Sequence, residues 1–213
     1  MDREGWNSRY AGKELLWTAE PNRFLAAEVS ELPAGRALDL ACGEGRNAVW
    51  LAERGWDVTG VDFSEVALAK AAKLAEGRGV SVDWVLADLR EYVPPVRAFE
   101  LVAVLYLHLP PAQRRPVLDR AAAAVAAGGV MLVVGHDSTN IAAGYGGPQD
   151  PAILFTPDEV AAELPELRIE RAERVRRPVS TPAGEVEAID ALVRAVRDPG
   201  AVRTEAGLGA RVR

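Results

Sequence analysis

The chain has 213 residues, of which 49% are hydrophobic, a formal net charge of −6 and one cysteine, Cys42. This length predicts one α/β domain over residues 1–197, with residues 198–213 as a flexible tail. No run of 18 apolar residues and no basic segment leading into an apolar one occurs, so we expect a cytoplasmic protein that is not bound to a membrane. A single cysteine excludes a disulfide within the chain, and the negative charge argues against a nucleic-acid partner.

Helices and strands alternate along most of the sequence. Two helices are expected within residues 6–32, and a capping box at Thr156 starts a short helix to about residue 164. The predicted strands between them are residues 37–41, 57–62, 80–87, 99–105 and 130–136. The predicted helices are residues 46–54, 64–76 and 111–127, the last of them ended by Gly128 and Gly129. This alternation implies right-handed crossovers and a mostly parallel, doubly wound sheet.

The first predicted strand runs into a glycine turn and then a helix, in residues 37–48 (ALDLACGEGRNA). Gly43 and Gly45 let the backbone turn where a side chain would block a ligand, which predicts a pocket for a nucleoside cofactor. The spacing Gly43-x-Gly45-x-x-Ala48 also fits a dinucleotide fingerprint, with Asp62 near the expected acidic position. Asp39 favours a cationic, phosphate-free ligand, S-adenosylmethionine, over a pyrophosphate. It could instead cap a local turn.

These residues resemble motif I of the class I S-adenosylmethionine-dependent methyltransferases. The ending Gly45-Arg46-Asn47, followed by a helix and a strand that ends in Asp62, is similar to the tellurite-resistance and thiopurine-methyltransferase-like branch of small-molecule enzymes. The resemblance covers about residues 20–175. It departs from the family pattern at Ala41, where a glycine is common, and at Glu100, where an aspartate is usual.

The resemblance implies a seven-stranded Rossmann-like sheet that ends in an antiparallel hairpin. Residues 167–175 and 185–193 would be its strands, although the second could also be helical. Asp62 would hold the ribose, Phe63 would pack on adenine, and Asp88 would accept from the adenine amine unless it only shapes a turn. The other expected donor-binding residues are Trp6, Arg9, Tyr10, Asp39, Ala41, Gly43, Gly45, Asn47, Ala87, Leu89 and Leu105. Trp6, Arg9 and Tyr10 belong to a helical lid over residues 1–32, unless these aromatic rings simply pack on the core.

Methyl transfer mainly requires that donor and acceptor be held in line, and a base is needed only if the acceptor arrives protonated. His108 and His136 follow the fourth and fifth strands and are the candidate catalytic residues, against a packing role for each. Residues 137–151 are predicted to form a long loop without secondary structure that walls the acceptor pocket. No metal ligands are expected.

The sequence therefore predicts a methyltransferase for a small-molecule acceptor, which could be a thiol, oxygen, nitrogen or metalloid such as tellurite. The protein would be a monomer or a homodimer. Two alternatives stay open: an NAD(P)-binding Rossmann oxidoreductase, and a regulator that binds S-adenosylmethionine without catalysis.

Overall fold

The computed structural model describes residues 1–12 and 14–200. Most of the predicted tail, residues 201–213, lies outside the described residues. Two short helices, α1 (Arg3–Tyr10) and α2 (Arg23–Val29), precede the sheet. Asn22 begins α2, because its side-chain oxygen accepts hydrogen bonds from the backbone N–H groups of Phe24 and Leu25.

Seven strands form one sheet in the order β3-β2-β1-β4-β5-β7-β6, which confirms the predicted doubly wound architecture. The strands are β1 (Arg36–Leu40), β2 (Asp57–Asp62), β3 (Asp83–Leu86), β4 (Phe99–Leu105), β5 (Val125–His136), β6 (Arg168–Thr181) and β7 (Gly184–Val196). The first five run parallel, and β7 is antiparallel to both β5 and β6. The carboxyl ends of β1 and β4 lie side by side where the strand order reverses, the usual place for a ligand crevice in such sheets.

Helices pack on both faces of the sheet, so that each face has its own hydrophobic core. Successive residues of a strand belong to opposite cores. The remaining helices are α3 (Arg46–Ala52), α4 (Glu65–Arg78), α5 (Pro111–Ala124), α6 (Asn140–Ala143) and α7 (Pro157–Ala162). In β4, Val102 and Val104 join one core, whereas Leu101 and Ala103 join the other. This alternation buries both faces of a parallel strand, which is why the strand sequence is almost continuously apolar.

The predicted carboxyl-terminal end of helix α5 was wrong. Helix α5 ends at Ala124, before the glycine pair that was expected to stop it. Gly128 and Gly129 lie instead inside β5, where a Cβ on Gly129 would come within 3.0 Å of the Phe99 carbonyl oxygen. The predicted strand over residues 185–193 is confirmed and the helical alternative is excluded, because these residues pair with β6 and residues 190–193 also pair with β5.

Within residues 1–12 and 14–200, no helix is both long enough and apolar enough to cross a bilayer.

Candidate methyl-donor and acceptor site

The hinge between β1 and α3 adopts the left-handed conformation at three positions, with φ of 59° at Ala41, 56° at Gly43 and 80° at Gly45. A Cβ on Gly43 would lie 3.1 Å from the Tyr10 hydroxyl, and one on Gly45 would lie 2.7 Å from both Ala71 and Trp84. Gly45 is therefore required by packing beneath the hinge, whereas Gly43 keeps the surface under Tyr10 free of a side chain.

Asp62 at the end of β2 ties the hinge to the next loop. Its Oδ2 accepts a hydrogen bond of 2.8 Å from the Gly43 backbone N–H, and its Oδ1 accepts one of 2.9 Å from Ser64. Burial raises the pKa of Asp62, while these backbone donors lower it. Each carboxylate oxygen has a second lone pair, so Asp62 can still accept hydrogen bonds from two ribose hydroxyls.

Asp39 in β1 is buried and, among the described residues, neither of its carboxylate oxygens has a hydrogen-bond partner. Burial, together with the nearby charge of Asp62, raises the pKa of Asp39 to about 7. An unpaired buried carboxylate is costly unless a cation comes to it. The charge of Arg46 and the backbone of Ala48 lower the pKa of Asp39 only in part.

The predicted adenine-binding residues divide into two groups. Phe63 and Asp88 line an open cavity of about 390 Å³ together with Arg90 and the amino-terminal end of α1. Asp88 also pairs with Arg90 at 2.6 Å, and the hydrogen bond from Arg90 lowers the pKa of Asp88. Leu89 is buried in the core, and Ala87 packs against that same core. Their side chains therefore support the pocket from behind.

Helix α1 packs over the hinge through Tyr10. Burial and the nearby Asp62 raise the pKa of the Tyr10 phenol to about 12, so it stays protonated beside the glycine turn. Trp6 stacks on Tyr10 with ring centroids 5.4 Å apart, and the Arg9 guanidinium lies 4.9 Å from the Trp6 ring centroid. Arg9 thus covers one face of the Trp6 ring. Of these three predicted lid residues, Tyr10 is the one that contacts the hinge.

Two hinge residues hold the amino-terminal segment in place. Glu44, which sequence reasoning missed, accepts hydrogen bonds from the backbone of Leu16 and Trp17 and pairs with Lys70 at 2.9 Å. Asn47, a predicted donor-binding residue, accepts through Oδ1 a 2.8 Å hydrogen bond from the backbone N–H of Asn22. The feature of the sequence that could have indicated Glu44 is an acidic residue placed between the two glycines of the turn.

The predicted catalytic histidines lie together at the carboxyl ends of β4 and β5, beside the buried Leu105. Their rings stack with centroids 5.3 Å apart. His108 Nε2 accepts a 3.2 Å hydrogen bond from the His136 backbone N–H, and burial lowers the pKa of His108 to about 4. His108 is a poor general base, because its Nε2 lone pair already accepts this hydrogen bond and its ring is weakly basic. The geometry gives it a packing role.

His136 belongs to a polar cluster that the sequence did not reveal. Its Nδ1 lies 3.1 Å from Oδ1 of Asp190, a fully buried residue in β7. Asp190 Oδ2 accepts hydrogen bonds of 2.8 Å from the Tyr106 hydroxyl and 2.9 Å from Arg177 Nε. Although burial opposes ionisation, contacts with His136 and Arg177 lower the pKa of Asp190. Asp190 therefore stays ionised 3.1 Å from His136 Nδ1, a charge that favours the Nδ1–H tautomer of His136 with Nε2 as the acceptor.

Residues 137–151 contain more order than predicted, since helix α6 and the start of a 3₁₀ helix (Pro151–Ile153) lie within them. The Asn140 side chain fixes this segment by donating to the Gly146 carbonyl and accepting from the Ile189 backbone N–H. A Cβ on Gly147 would lie 2.9 Å from His136 Nε2, so the segment borders the free nitrogen of His136.

Comparison with known proteins finds methyltransferases among the proteins that this chain resembles. Residues 37–129 match the methyltransferase domain family. Trans-aconitate 2-methyltransferase of Sinorhizobium medicae is 35% identical over 117 residues, which are 53% of this chain and 43% of that protein. The chain thus spans less than half the length of this relative.

Two solved structures share the fold. The N-methyltransferase NodS from Bradyrhizobium japonicum WM9, in complex with S-adenosyl-l-homocysteine, has a TM-score of 0.67 and 18% identity, covering 92% of this chain and 97% of that one. TehB from Haemophilus influenzae has a TM-score of 0.70 and 16% identity, covering 92% of this chain and 67% of that one. Residues 37–129 therefore resemble the methyltransferase domain family in sequence, and the described residues share the Rossmann-like fold of these two solved structures.

Proposed function

We propose that this protein transfers a methyl group from S-adenosylmethionine to a small-molecule acceptor. The observation that carries the proposal is the buried carboxylate of Asp39, which has no hydrogen-bond partner among the described residues beside a hinge free of side chains. S-adenosylmethionine has an ammonium group that can form an ion pair with the Asp39 carboxylate. It has no phosphate, whose negative charge Asp39 would repel. The match of residues 37–129 to a methyltransferase domain supports the same cofactor.

Different residues at the ends of β1 and β2 would bind different parts of the donor. Asp39 would bind the ammonium group, Asp62 would bind the ribose hydroxyls, and Phe63 would pack on the adenine. Tyr10 excludes water from the glycine turn, because its ring is buried against Gly43. Positioning of this kind can lower the barrier by about 7–11 kcal/mol, so a methyltransferase needs few reacting side chains.

The donor supplies an electrophilic methyl group on a sulfonium, and the broken sulfur–carbon bond leaves its electron pair on sulfur. An acceptor that arrives protonated must lose its proton as the new bond to carbon forms. His136 Nε2 can take that proton, since the Asp190 carboxylate 3.1 Å from Nδ1 would stabilise the imidazolium that results. An acceptor that arrives as an anion needs only the positioning.

Thiols, hydroxyls, amines and metalloids all stay candidate acceptors, including tellurite and thiopurine-type thiols. The net charge of −6 supports a small-molecule acceptor over a nucleic acid. The location that we propose is the cytoplasm.

Isothermal titration calorimetry with S-adenosylhomocysteine tests the donor site. We expect a micromolar dissociation constant and no heat with NAD at the same concentration. Tight binding of NAD alone would instead make the protein an oxidoreductase. A mass-spectrometric screen for acceptors that gain 14 daltons then separates an enzyme from a regulator, because a regulator would bind the donor and methylate nothing.

A further inference from the structure

Tyr106, the residue that follows β4, has a strained backbone conformation. Its φ of 56° is one of three positive values among the non-glycine residues that the structure describes. The positive φ turns the side chain, because Leu105 and Tyr106 pack against the same hydrophobic core although successive residues of a strand face opposite ways. The sheet pairing still continues, since the Tyr106 N–H donates a 2.6 Å hydrogen bond to the Val134 carbonyl. Strain of this kind persists only where the surrounding structure holds it, and it concentrates at functional sites.

This turn brings the Tyr106 phenol to the buried carboxylate of Asp190. The hydroxyl donates a 2.8 Å hydrogen bond to Asp190 Oδ2. Burial, together with the charge of Asp190, raises the pKa of the phenol well above its usual range, although Arg177 and the Asn22 side chain lower it. The phenol therefore keeps its proton near neutral pH and remains a donor to Asp190.

The pairing of β5, β6 and β7 places the partners of Asp190 on one face of the sheet. His136 lies directly opposite Asp190 in the β5–β7 ladder. In the β6–β7 ladder Asp190 lies opposite Val175, two residues before Arg177. Because side chains two residues apart in a strand share a face, Arg177 and His136 both reach Asp190 from the same side of the sheet.

The two oxygens of Asp190 have separate partners. Oδ2 accepts from the Tyr106 hydroxyl and from Arg177 Nε, at 2.8 and 2.9 Å, whereas Oδ1 lies 3.1 Å from His136 Nδ1. Oδ1 and Nδ1 are buried, and neither has a hydrogen-bond partner among the described residues. A small rotation of the imidazole ring would align them. Two donors on Oδ2, one from the end of β4 and one from β6, hinder the carboxylate from turning away.

The charges around His136 are balanced without Tyr106. They form two ion pairs, Arg177 with Asp190 and Arg174 with the buried Asp137. His108, which stacks on His136, has a pKa of about 4 and is uncharged near neutral pH. A neutral phenol adds no charge to this set. The contribution of Tyr106 is therefore the orientation of the Asp190 carboxylate.

We propose that Tyr106 is a positioning residue for methyl transfer, which acts by holding Oδ2 of Asp190 so that Oδ1 stays directed at His136 Nδ1. The inference rests on the proposed function, because it concerns the residue that would take the proton of the acceptor. That proton would end on His136 Nε2, while Nδ1 keeps its own. Asp190 stays ionised and Tyr106 stays protonated throughout, so neither of them exchanges a proton with the acceptor.

Nuclear magnetic resonance of nitrogen-15-labelled histidine tests the orientation directly, since the chain has two histidines. The full chain is saturated with S-adenosylhomocysteine at pH 8, where an ordinary imidazole with a pKa of about 6.5 is uncharged. In the unmodified protein we expect His136 to carry its proton on Nδ1. In Tyr106→Phe the ratio of Nδ1–H to Nε2–H should fall by about tenfold, the change expected when one hydrogen bond to a charged group is lost.

Tyr92→Phe is the matched control, because it loses the same hydroxyl from a ring that packs on the other core. It should leave the tautomer of His136 unchanged. His108 is an internal reference, since its Nε2 accepts from the His136 backbone N–H and should stay unprotonated in each variant. Asp190→Asn should reverse the tautomer of His136 to Nε2–H, because an amide can donate to Nδ1.

Kinetics give a second measurement. For an acceptor that arrives protonated, Tyr106→Phe should lower kcat by about tenfold, because the base is less well oriented. KM for S-adenosylmethionine should change by less than about twofold, because the donor half keeps its contacts.

Three results would overturn the inference: Nε2–H on His136 in the unmodified protein, an unchanged tautomer in folded Tyr106→Phe, or an equal change in Tyr92→Phe. The first needs no variant, so the inference can be overturned even if Tyr106→Phe does not fold. Failure of S-adenosylhomocysteine to bind the unmodified protein would instead reject the proposed function, so the two failures are distinguishable.

Discussion

The two halves of the candidate site are built in different ways. The donor half lies at the ends of β1 and β2, and its residues Asp39, Gly43 and Asp62 fall within 24 positions of the sequence. The acceptor half lies at the ends of β4, β5 and β7, and its central hydrogen bond joins Tyr106 to Asp190 across 84 positions. A local motif can specify the first, whereas only the completed sheet assembles the second. The donor half is therefore readable in a sequence, and the acceptor half is not.

The largest effect that we expect concerns His136 in the acceptor half. His136→Gln keeps an N–H that can reach Asp190 but has no basic nitrogen. For an acceptor that arrives protonated, kcat should fall by about 10²–10⁴-fold, because general-base catalysis contributes an acceleration of that order. Single-turnover methylation of an acceptor found by the mass-spectrometric screen measures this change.

His108→Gln is the comparison variant. It should lower kcat much less than His136→Gln, but it should reduce stability, since the buried His136 backbone N–H would lose its present partner. If the two variants lowered kcat equally with unchanged donor affinity, the assignment of the base to His136 would fail.

Asp62 gives the next largest effect, now in the donor half. Asp62→Ala should weaken S-adenosylhomocysteine by about 1–3 kcal/mol, roughly 5- to 150-fold, through lost charge-assisted contacts with the ribose. The Gly43 and Ser64 N–H groups would also lose their acceptor, so a fall in Tm should accompany the loss.

Calorimetry measures the affinity, and Asp57→Ala is the control, because Asp57 lies exposed at the opposite end of the same strand. An unchanged dissociation constant in Asp62→Ala would remove this carboxylate from the donor site.

Replacement of Asp39 should have opposite effects on the stability of the protein and on its affinity for the donor. Without ligand, Asp39→Asn removes an unpaired buried carboxylate, and a gain of about 2 kcal/mol would raise Tm by roughly 4–8 °C. The same change should weaken S-adenosylmethionine by about tenfold, because its ammonium group would lose a charged partner.

The pH dependence follows from the raised pKa of Asp39, about 7 in the folded protein. The folded state holds a proton that the unfolded chain releases near pH 4, so this group's contribution to stability falls as the pH rises from about 4 to 7. The stability gained by Asp39→Asn should therefore be small at pH 4 and largest above pH 7. Urea unfolding across this range measures it, and a difference that does not vary with pH would contradict the raised pKa.

The contrast between the halves also explains what sequence reasoning achieved. The alternation of strands and helices and the Thr156 capping box followed from local signals, namely apolar periodicity and the spacing of Thr156 and Glu159. The contact of Asn47 with Asn22 was not foreseen, because it depends on how the amino-terminal segment returns to α3. Arg177 and Asp190 lie on a hairpin whose sequence alternates charged and apolar residues, so nothing in the sequence distinguished them from the charged residues of an exposed strand face.

The smallest effect concerns Ala41, where the hinge departs from the glycine that is common in the family. Its φ of 59° is unfavourable for a residue with a Cβ atom, at a cost of about 1–2 kcal/mol. Ala41→Gly removes this strain but increases the entropy of the unfolded chain, so we expect a net stabilisation of at most about 1 kcal/mol. Ala34→Gly, in a loop at ordinary φ, should only destabilise. Urea unfolding of both variants compares them, and equal destabilisation would mean that the hinge is not strained at Ala41. The backbone of the hinge would then be unstrained at Ala41. In that case donor recognition would depend on Gly43, Asp39 and Asp62 and not on Ala41.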